Sequence, residues 1–576
     1  MQQTRLIQNI VGGSYEADER IAGCAVSQNL YAESVEEASN GFYYTTALRS
    51  VDGERVVLDF ENVVPDQYAQ GCRGLFCASD DTIFAAFGSS VVRIARNGIT
   101  GEYSSETIYT EPNPTSGKVR FAETGGINSH VVWADGSEWI KAYPLVPEKA
   151  QGITLPIRFR TPLRVYLTAD EILQEQNFHV KPSHVCSVNG SIVINDPETD
   201  TFYFTEPYVL GGTDYTRKVY DLQNGNIQYE TGTYNVKTKQ VYVWDTDPSS
   251  GTSYLWLDRY SKAKFRTAEY SADRIVSMVV NGDQLFVIGS KSMQVLSQSM
   301  STDAQGFSNM IFDDSGRSTA DLGARAADSV ALVDGMVVFL GASARGERSV
   351  RCTSGGEVMR ISTNAIEREL EGRNVDSAYG FGWVQNGHTF YVLSVPSVNK
   401  SYVYDFATRQ WHNRTTRNPD GSDSLWWVRY AVNCSGDILL ASGKTLKLAK
   451  FDRTKYDDYR DEPIIKRRTA PCLTSDYSPF MVNNLLLMWN TGSTEDRNNE
   501  KYSKNPVVML EVSTDGGNTF GTELWANGGE TGHYGHRTVW YGIGCGQMFV
   551  FRFTISDRVN VVITGAKVSF TKLRAF

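Results

Sequence analysis

Residues 281–289 read NGDQLFVIG, a tight-turn dipeptide followed by an apolar run. The same pattern returns as DGMVVFLG (334–341), NGHTFYVL (386–393) and SGDILL (435–440). Its glycines, at positions 282, 335, 387 and 436, are 53, 52 and 49 residues apart. A turn-then-strand unit that recurs about every fifty residues is typical of a β-propeller, because one blade buries its faces only between neighbouring blades.

Three earlier segments carry the same pattern. They read SDDTIFAAFG (79–88), NSHVVW (128–133) and NGSIVI (189–194). Apart from two short helices, the rest of the chain alternates or is broken by turn residues, as strands are. We therefore predict an all-β chain with an irregular β-propeller of about seven blades over residues 46–455, although six to eight blades would also fit the pattern.

The step from Gly190 to Gly282 is nearly twice the repeat, which indicates an insertion near residues 205–262. The inserted sequence contains YNVKTKQVYVW (234–244), which predicts a hairpin. We expect this hairpin to project from one face of the ring.

The rhythm changes after about residue 455. Longer apolar runs follow, NLLLMW (484–489), VVMLEV (507–512) and MFVFRF (548–553). They predict a C-terminal β-sandwich-like platform over residues 456–576. The N-terminal segment 1–45 carries no blade pattern and is expected to pack on the platform, since chain ends often lie close together.

Only two helices are predicted. Thr168 and Glu171 form a capping box that opens a short helix through Gln176. Asn364 and Glu367 do the same for residues 365–371, and Gly372 supplies the left-handed stop.

Charge and composition exclude several classes of protein. The net charge of −10 argues against a protein that wraps DNA through a basic patch, but it is compatible with a wall past which DNA slides. The eight cysteines are scattered along the chain, so we expect reduced, mostly structural thiols in a protein made in the cytosol. No apolar run is long enough for a membrane span, and no secretion signal is expected.

The sharpest local match is STDGGNTF (513–520), which fits the Asp-box pattern found in sialidases and other β proteins. In such a turn the aspartate accepts hydrogen bonds from backbone amides, the glycines take positive φ, and the aromatic ring packs below. The arginine cluster and the Tyr–Glu pair of a sialidase cannot be placed, so we interpret the motif as structural. The residues of this predicted structural turn are Ser513, Asp515, Gly517, Thr519 and Phe520.

His533, His536 and Cys545 suggest a metal site, but the rest of a ligand set is absent and we favour a structural role for them. No catalytic residue, cofactor site or metal site is predicted. Arginine and aromatic side chains dominate interface energetics, which makes a further group candidate partner contacts. These are Arg467, Arg468, Tyr534, Arg537 and Trp540.

The C-terminal third resembles the end of the short-tailed phage tail nozzle proteins, also called tail hub or packaged-DNA stabilisation proteins. The resemblance rests on STDGGNTFG (513–521), GHYGHRTVW (532–540) and FRFTISD (551–557) in that order. It continues upstream, with FRTAE at 265–269 leading to LFVIGS at 285–290, the helix at 361–372, and YVYD at 402–405 with Trp411. The match is collinear over about residues 180–576.

This resemblance implies a structural virion protein of the tail, made in the host bacterial cytoplasm, and not an enzyme. Members of the family form a homo-hexameric ring below the portal and its adaptor, extend the DNA channel, and retain the packaged genome until ejection. The terminal module would meet the adaptor, and the propeller with its inserted hairpin would build the distal tube. Other implied partners are a tail fibre or spike, a needle or plug, and double-stranded DNA that passes without sequence recognition.

Two other functions stay open at this point. One is a carbohydrate-active or glycan-binding, sialidase-like propeller of a phage tail, which would need clustered arginines and paired carboxylates at a pocket on the ring. The other is a kelch-like interaction scaffold that acts as a monomer.

Overall fold

The computed structural model shows seven blades and a sandwich joined to one of them. It describes residues 2–36, 43–62, 71–111, 117–125, 129–137, 140–145, 155–158, 181–204, 213–221, 226–235, 240–246, 253–257, 264–268, 273–302, 308–314, 321–342, 346, 348–476, 478–492 and 504–573.

Six strands precede the first blade. They are β1 Gln2–Leu6, β2 Tyr15–Glu16, β3 Cys24–Gln28, β4 Leu30–Glu36, β5 Tyr43–Ser50 and β6 Gly53–Asp59.

The propeller strands follow, with four more inserted among them. They are β7 Cys72–Cys77, β8 Ile83–Phe87, β9 Ser90–Arg96, β10 Tyr103–Thr110, β11 Arg120–Glu123, β12 His130–Ala134, β13 Ile140–Pro144, β14 Leu155–Arg158, β15 Val185–Val188, β16 Ser191–Asn195, β17 Thr201–Phe204, β18 Thr213–Asp221, β19 Asn226–Asn235, β20 Gln240–Thr246, β21 Ser253–Leu257, β22 Lys264–Thr267, β23 Ile275–Asn281, β24 Gln284–Gly289, β25 Met293–Thr302, β26 Ser308–Asp314, β27 Gly323–Ala324, β28 Ala331–Val333, β29 Met336–Ala342, β30 Arg348–Thr353, β31 Met359–Arg360, β32 Tyr379–Gln385, β33 His388–Val395, β34 Lys400–Asp405, β35 Gln410–Arg417, β36 Asp423–Leu425, β37 Tyr430–Cys434, β38 Asp437–Ala441 and β39 Lys447–Asp452.

Eight strands complete the chain. They are β40 Lys466–Thr469, β41 Leu473–Thr474, β42 Phe480–Trp489, β43 Val507–Ser513, β44 Leu524–Asn527, β45 Thr538–Gly546, β46 Met548–Ile555 and β47 Val562–Lys572.

Seven antiparallel sheets of the described chain make the blades, which confirms the predicted propeller. In chain order they are β7–β10, β11–β14, β15–β17 with β22, β23–β26, β27–β31, β32–β35 with β36, and β37–β39 with β6. We call them the first to the seventh blade.

The blades close into a ring. The innermost strands β7, β11, β15, β23, β28, β32 and β37 each contact the next, and β37 contacts β7 again. The seventh blade takes its outermost strand from the start of the chain, because β6 pairs antiparallel with β39. A disulfide between Cys77 and Cys434, whose Cα atoms are 5.8 Å apart, also links the first and seventh blades. The prediction of reduced thiols is therefore wrong for this pair, which only the closed ring brings together.

Every apolar run of the repeated pattern forms the second strand of its blade. The strand is fully buried in β8, β12 and β16 because each of them lies inside a sheet that is covered on both faces. In the fifth blade this strand follows a tight two-residue turn, in which Asp334 and Gly335 have φ of 49° and 75° and connect the paired residues Val333 and Met336. This two-residue turn with positive φ at both positions matches the right-handed twist of the flanking strands.

The insertion leaves the third blade between β17 and β22 and joins the perimeter of the second blade. Its strands β18–β21 form an antiparallel sheet, and β21 pairs in parallel with β14, with Ile157 opposite Leu255. The predicted hairpin is β19 with β20, and its turn at 236–239 lies outside the described residues. The hairpin therefore continues a blade in its own sheet, and the prediction that it projects from a face of the ring is wrong. The free edge of β14 offers unpaired backbone groups that attract such an extension.

The sandwich packs two sheets around one core. One sheet has the order β4-β5-β47-β42-β45, with β1 on β47, and the other contains β3-β40-β46-β43-β44. Phe480, Leu485, Phe551 and Phe570 are buried between them. Strands from both ends of the chain build each sheet. The domain limits 1–45, 46–455 and 456–576 stay predictions.

The sandwich and the propeller share a sheet. Strand β35 of the sixth blade pairs in parallel with β3, with Gln28 opposite Asn413, so the blade continues into the sandwich. Asn29 adds to this junction, because its side-chain NH₂ group donates to the Ile465 carbonyl at 2.8 Å and its side-chain oxygen accepts from the Thr415 amide at 3.0 Å.

The described residues contain one α-helix, α1 (Asn364–Leu370), and two 3₁₀ turns, Ala327–Ser329 and Pro396–Val398. The predicted cap at Asn364 is wrong by one residue: Thr363 is the N-cap, and its hydroxyl accepts from the Ile366 amide at 3.4 Å. The side-chain oxygen of Asn364 instead accepts from the Arg360 guanidinium at 2.9 Å. Gly372 follows the helix with φ of 71°. The other predicted helix, at 168–176, lies outside the described residues.

Candidate functional site

The Asp-box turn lies in the sandwich, after β43, and not on a blade. One oxygen of Asp515 accepts from the amides of Asn518 and Thr519, each at 3.0 Å, and the other accepts from the Thr519 hydroxyl at 2.6 Å. The Ser513 hydroxyl donates to Asp515 at 2.6 Å and accepts from the Gly517 amide at 2.9 Å. The hydrogen bond from Ser513 and those from Thr519 lower the pKa of Asp515 far below its ordinary value. Asp515 thus spends its acceptor capacity inside the turn, which suits a structural role.

Phe520, the last residue of the motif, is half-buried. The guanidinium of Arg552 lies 3.5 Å from its ring centroid, and Arg552 also contacts Glu511 at 3.3 Å. The ring therefore fastens the turn to the outer side of the sheet by a cation–π contact and does not enter the core.

Arg468 is a structural residue of the interior. Its side chain is 1% exposed, and it donates to the carbonyl oxygens of Asn9 at 2.8 Å, Ile10 at 2.7 Å and Gly13 at 3.1 Å. It also donates to the Ser27 hydroxyl at 2.9 Å. Burial lowers its pKa to about 9. The prediction that Arg468 contacts a partner is wrong, because the N-terminal segment covers it completely.

Two more of the predicted contacts are engaged within the chain. Arg467 is half-buried and bonds Asp423 at 2.9 Å and Gln28 at 3.3 Å. Trp540 is 4% exposed, donates its indole N–H to the Leu524 carbonyl at 2.9 Å, and packs on Phe553. Trp540 is therefore unavailable to a partner, and Arg467 is available only in part.

Tyr534 and Arg537 do lie at the surface, and Tyr534 is 68% exposed. They belong to the loop between β44 and β45, the edge strands of the two sandwich sheets, which contact each other. The same stretch exposes Trp525 by 69% and Tyr541 by 76%, which the sequence analysis missed. Their signal was the alternation along β44 and β45, where residues flanking Trp540 point away from the core. We call Trp525, Tyr534, Arg537 and Tyr541 the edge surface.

The histidines beside this surface form no metal site with Cys545 in the described part of the chain. The His536 ring nitrogen bonds the Asn527 carbonyl at 2.9 Å, while Cys545 lies on β45 opposite Met481. One group of metal-type side chains does occur among the described residues, Cys77, Asp81 and Cys434, and its two sulfurs form the disulfide. No helix of the described residues is long and apolar enough to cross a membrane.

Comparisons with solved structures give only weak likenesses. The N-terminal domain of Nup159 is 10% identical, with 74% of this chain and 100% of that chain covered and a TM-score of 0.31. The AfRom2 CNH domain is 10% identical over 69% and 99%, with a TM-score of 0.29. A putative 6-phosphogluconolactonase from Bacteroides uniformis is 12% identical over 60% and 95%, with a TM-score of 0.24. Scores this low carry no argument, and no curated protein matches the sequence.

Two family models match the chain and together cover more than half of it. The first, described as the β-propeller of bacteriophage P22 Gp10, matches residues 210–456. The second, described as the β-sandwich of the same protein, matches residues 466–571. Their order and positions agree with the observed propeller and sandwich, and they confirm the resemblance found in the sequence. The chain therefore belongs to the bacteriophage P22 Gp10 family, whose members are structural proteins of the phage tail that stabilise packaged DNA.

Proposed function

We propose that six copies of this chain form the tail nozzle, a ring below the portal and its adaptor that continues the DNA channel. The ring retains the packaged genome until ejection, and this role requires no catalysis. Its place is the virion tail, after synthesis in the host bacterial cytoplasm.

The observation that carries this proposal is the shared sheet of the sixth blade and the sandwich. Because β35 and β3 pair directly, with Asn29 bonded to both sides of the junction, the two modules resist bending against each other. A rigid subunit with two unlike ends suits a ring whose copies meet through heterologous contacts. The closed propeller supplies a wall with few free strand edges.

We assign docking on the adaptor to the edge surface. Trp525, Tyr541 and Tyr534 have large rings that lie mostly in solvent, and Arg537 is exposed on the same loop as Tyr534. Exposed aromatic side chains together with an arginine have the composition of an interface hot spot. A tail fibre or spike and a needle or plug are further partners of the assembled ring.

The acidic charge supports passage of DNA without adhesion. With a net charge of −10, the chain repels phosphate overall, whereas each lysine or arginine on the backbone would add salt-sensitive affinity. We therefore expect the DNA-facing wall of the ring to be neutral or acidic. A strongly basic wall would contradict this part of the proposal.

The test is reconstitution of the purified chain with the cognate portal–adaptor complex. Cryo-electron microscopy and single-particle mass measurement should show six copies per ring. DNA-filled heads that carry portal and adaptor should protect their genome from nuclease only after the chain is added. A different copy number, or leakage unchanged by the chain, would refute the nozzle role.

The docking assignment has its own variants. Trp525→Ala combined with Tyr541→Ala should weaken adaptor binding at least about tenfold while the melting temperature stays unchanged, because both side chains lie in solvent. The matched control is Ile99→Ala, since Ile99 is 98% exposed on a turn of the first blade. Equal binding by the double variant and the control would place the adaptor elsewhere.

The glycan-active alternative gains no support from the motif that suggested it. The Asp-box turn sits on the sandwich, and Asp515 is occupied by its own turn.

A further inference from the structure

Four charged side chains converge at the centre of the propeller. Arg120 begins β11 of the second blade, and its guanidinium bonds the Asp328 carboxylate at 2.7 Å. Arg429, immediately before β37 of the seventh blade, bonds the other oxygen of the same carboxylate at 3.0 Å. The ammonium of Lys118 lies over the Tyr430 ring, 5.6 Å from its centroid. We call these four residues the axial cluster.

The axial cluster spans the central channel of the propeller within one chain. Asp328 sits on the 3₁₀ turn Ala327–Ser329, which leads into β28 of the fifth blade. The second blade contacts the first and third through its innermost strand, and the fifth contacts the fourth and sixth. Since the second and fifth blades are not neighbours, the Arg120–Asp328 pair reaches across the axis.

Positive charge is in excess at this point. Asp328 is the one carboxylate among the described residues whose negative charge raises the pKa of all three cations, Lys118, Arg120 and Arg429. His184 adds no negative charge: burial and the neighbouring Arg120 and Lys118 hold its pKa well below the ordinary value, so the ring is neutral.

Two of the cations also have donors to spare. The Arg429 Nε atom is buried and bonds to nothing among the described residues. No described residue accepts a hydrogen bond from Lys118, and burial lowers its pKa to about 8. The site is nevertheless open to solvent ions, because the side chains of Arg120, Asp328 and Arg429 are 17%, 26% and 36% exposed. An unneutralised group of cations in a sheltered place is costly unless an anion joins it.

We propose that the axial cluster binds a small oxyanion of the phosphate class. Lys118 and Arg429 donate to the anion, while the Arg120–Asp328 ion pair joins the second and fifth blades beside it. The planar fork of an arginine suits tetrahedral oxyanions, and a lysine acts as a point charge on the same ligand. The bound anion would neutralise the excess positive charge at the centre of the propeller.

The probe is inorganic phosphate on the full chain, at constant ionic strength set with chloride. Calorimetric titration should give one saturable site per chain. The melting temperature should rise by about 2 °C at a phosphate concentration a hundredfold above Kd. Lys118→Met should weaken phosphate binding on the order of tenfold.

Asp328→Asn gives the sharper test because it removes the competing carboxylate. This variant should bind phosphate on the order of tenfold more tightly, and phosphate should restore the stability it loses in chloride. Arg325→Gln is the control, since Arg325 has its own exposed carboxylate partner, Asp376, at 2.8 Å. The proposal is overturned if the native chain shows no saturable site, or if Lys118→Met binds as tightly as Arg325→Gln.

Discussion

Arg120 and Asp328 bond at 2.7 Å although they belong to blades that do not touch and are 208 residues apart in the chain. Together with the Arg429–Asp328 pair, which joins the seventh and fifth blades, this ion pair braces the propeller from inside, whereas the contacts between the innermost strands run around the circumference. Burial alone would raise the pKa of Asp328, but the charges of Lys118, Arg120 and Arg429 outweigh burial and hold the pKa below its ordinary value.

Arg120→Met should lower the free energy of unfolding by about 1–3 kcal/mol at pH 7, discounted toward the lower figure because the pair is partly exposed. An aspartate with a depressed folded pKa stabilises the protein above its unfolded pKa and loses that contribution as pH falls through the folded value. The difference between native chain and variant should therefore shrink below about pH 4. Denaturant titration at several pH values measures it. A deficit that persists undiminished in acid would mean that packing, not charge, is lost.

The disulfide predicts a redox-dependent ring. Reduction of Cys77–Cys434 should destabilise the propeller by about 2–4 kcal/mol, since the bond ties residues 357 apart and restricts the unfolded chain. Thermal unfolding with and without reductant should differ for the native chain and coincide for Cys77→Ser. Cys545→Ser, which changes an exposed free thiol, should behave as the native chain does. Native melting that ignores reductant would show that the bond does not form in solution.

We expect the hydrogen bonds of Arg468 to hold the N-terminal segment against the sandwich. Arg468→Met should cost about 3 kcal/mol, because the carbonyl oxygens of Asn9, Ile10 and Gly13 lose their donor in a buried place. Its neighbour gives the matched control: Arg467→Met removes a half-exposed pair and should cost below about 1 kcal/mol. Limited proteolysis should cut the first thirty residues faster only in the Arg468 variant, and equal cutting in both variants would contradict this expectation.

Because of Glu54, we expect the stability of the protein to depend on pH where β6 closes the seventh blade. Burial raises its pKa to about 7 from 4.5, even though the indoles of Trp426 at 2.9 Å and Trp427 at 2.5 Å donate to it. The folded state therefore holds this proton more tightly than the unfolded state does. Its stabilising contribution is present below pH 4.5 and is lost as pH rises through about 7.

Glu54→Gln should flatten the fall in unfolding free energy between pH 5 and 8, which this group makes as large as about 3 kcal/mol. Denaturant titrations across that range give the slope. The exposed Glu61→Gln is the control and should keep the native slope. An unchanged slope in Glu54→Gln would assign the pH dependence to another group.

The sequence predicted what local pattern determines. Each glycine-and-apolar run became a second strand because a buried strand needs a short continuous apolar run after a tight turn. The position of the glycine was not determined: Gly335 is the second turn residue, whereas Gly282 is the first, since Asn281 pairs with Gln284. Thr363 and Asn364 can both cap a helix, and the hydrogen bond of Asn364 to Arg360 decides between them.

Contacts between residues far apart in the chain could not be predicted from the sequence. KRRT (466–469) reads as an exposed basic strand, yet Arg468 is buried by carbonyl groups more than four hundred and fifty residues earlier. Neither the pairing of Cys77 with Cys434 nor the meeting of Arg120 with Asp328 has a local signal, because both depend on closure of the ring. Of the edge surface, the sequence predicted Tyr534 and Arg537 as partner contacts but did not indicate Trp525 and Tyr541.

The strand that closes the seventh blade sets an order on biosynthesis. Among the described strands, β6 pairs with β39 and β1 pairs with β47, while β5 pairs with its neighbour β4 and also with β47. During synthesis these early strands therefore stay without their late partners until β39 and β47 have been made. A message truncated before residue 447 would yield an open horseshoe of sheets with adhesive edges, so premature termination should produce aggregates and not a smaller working part.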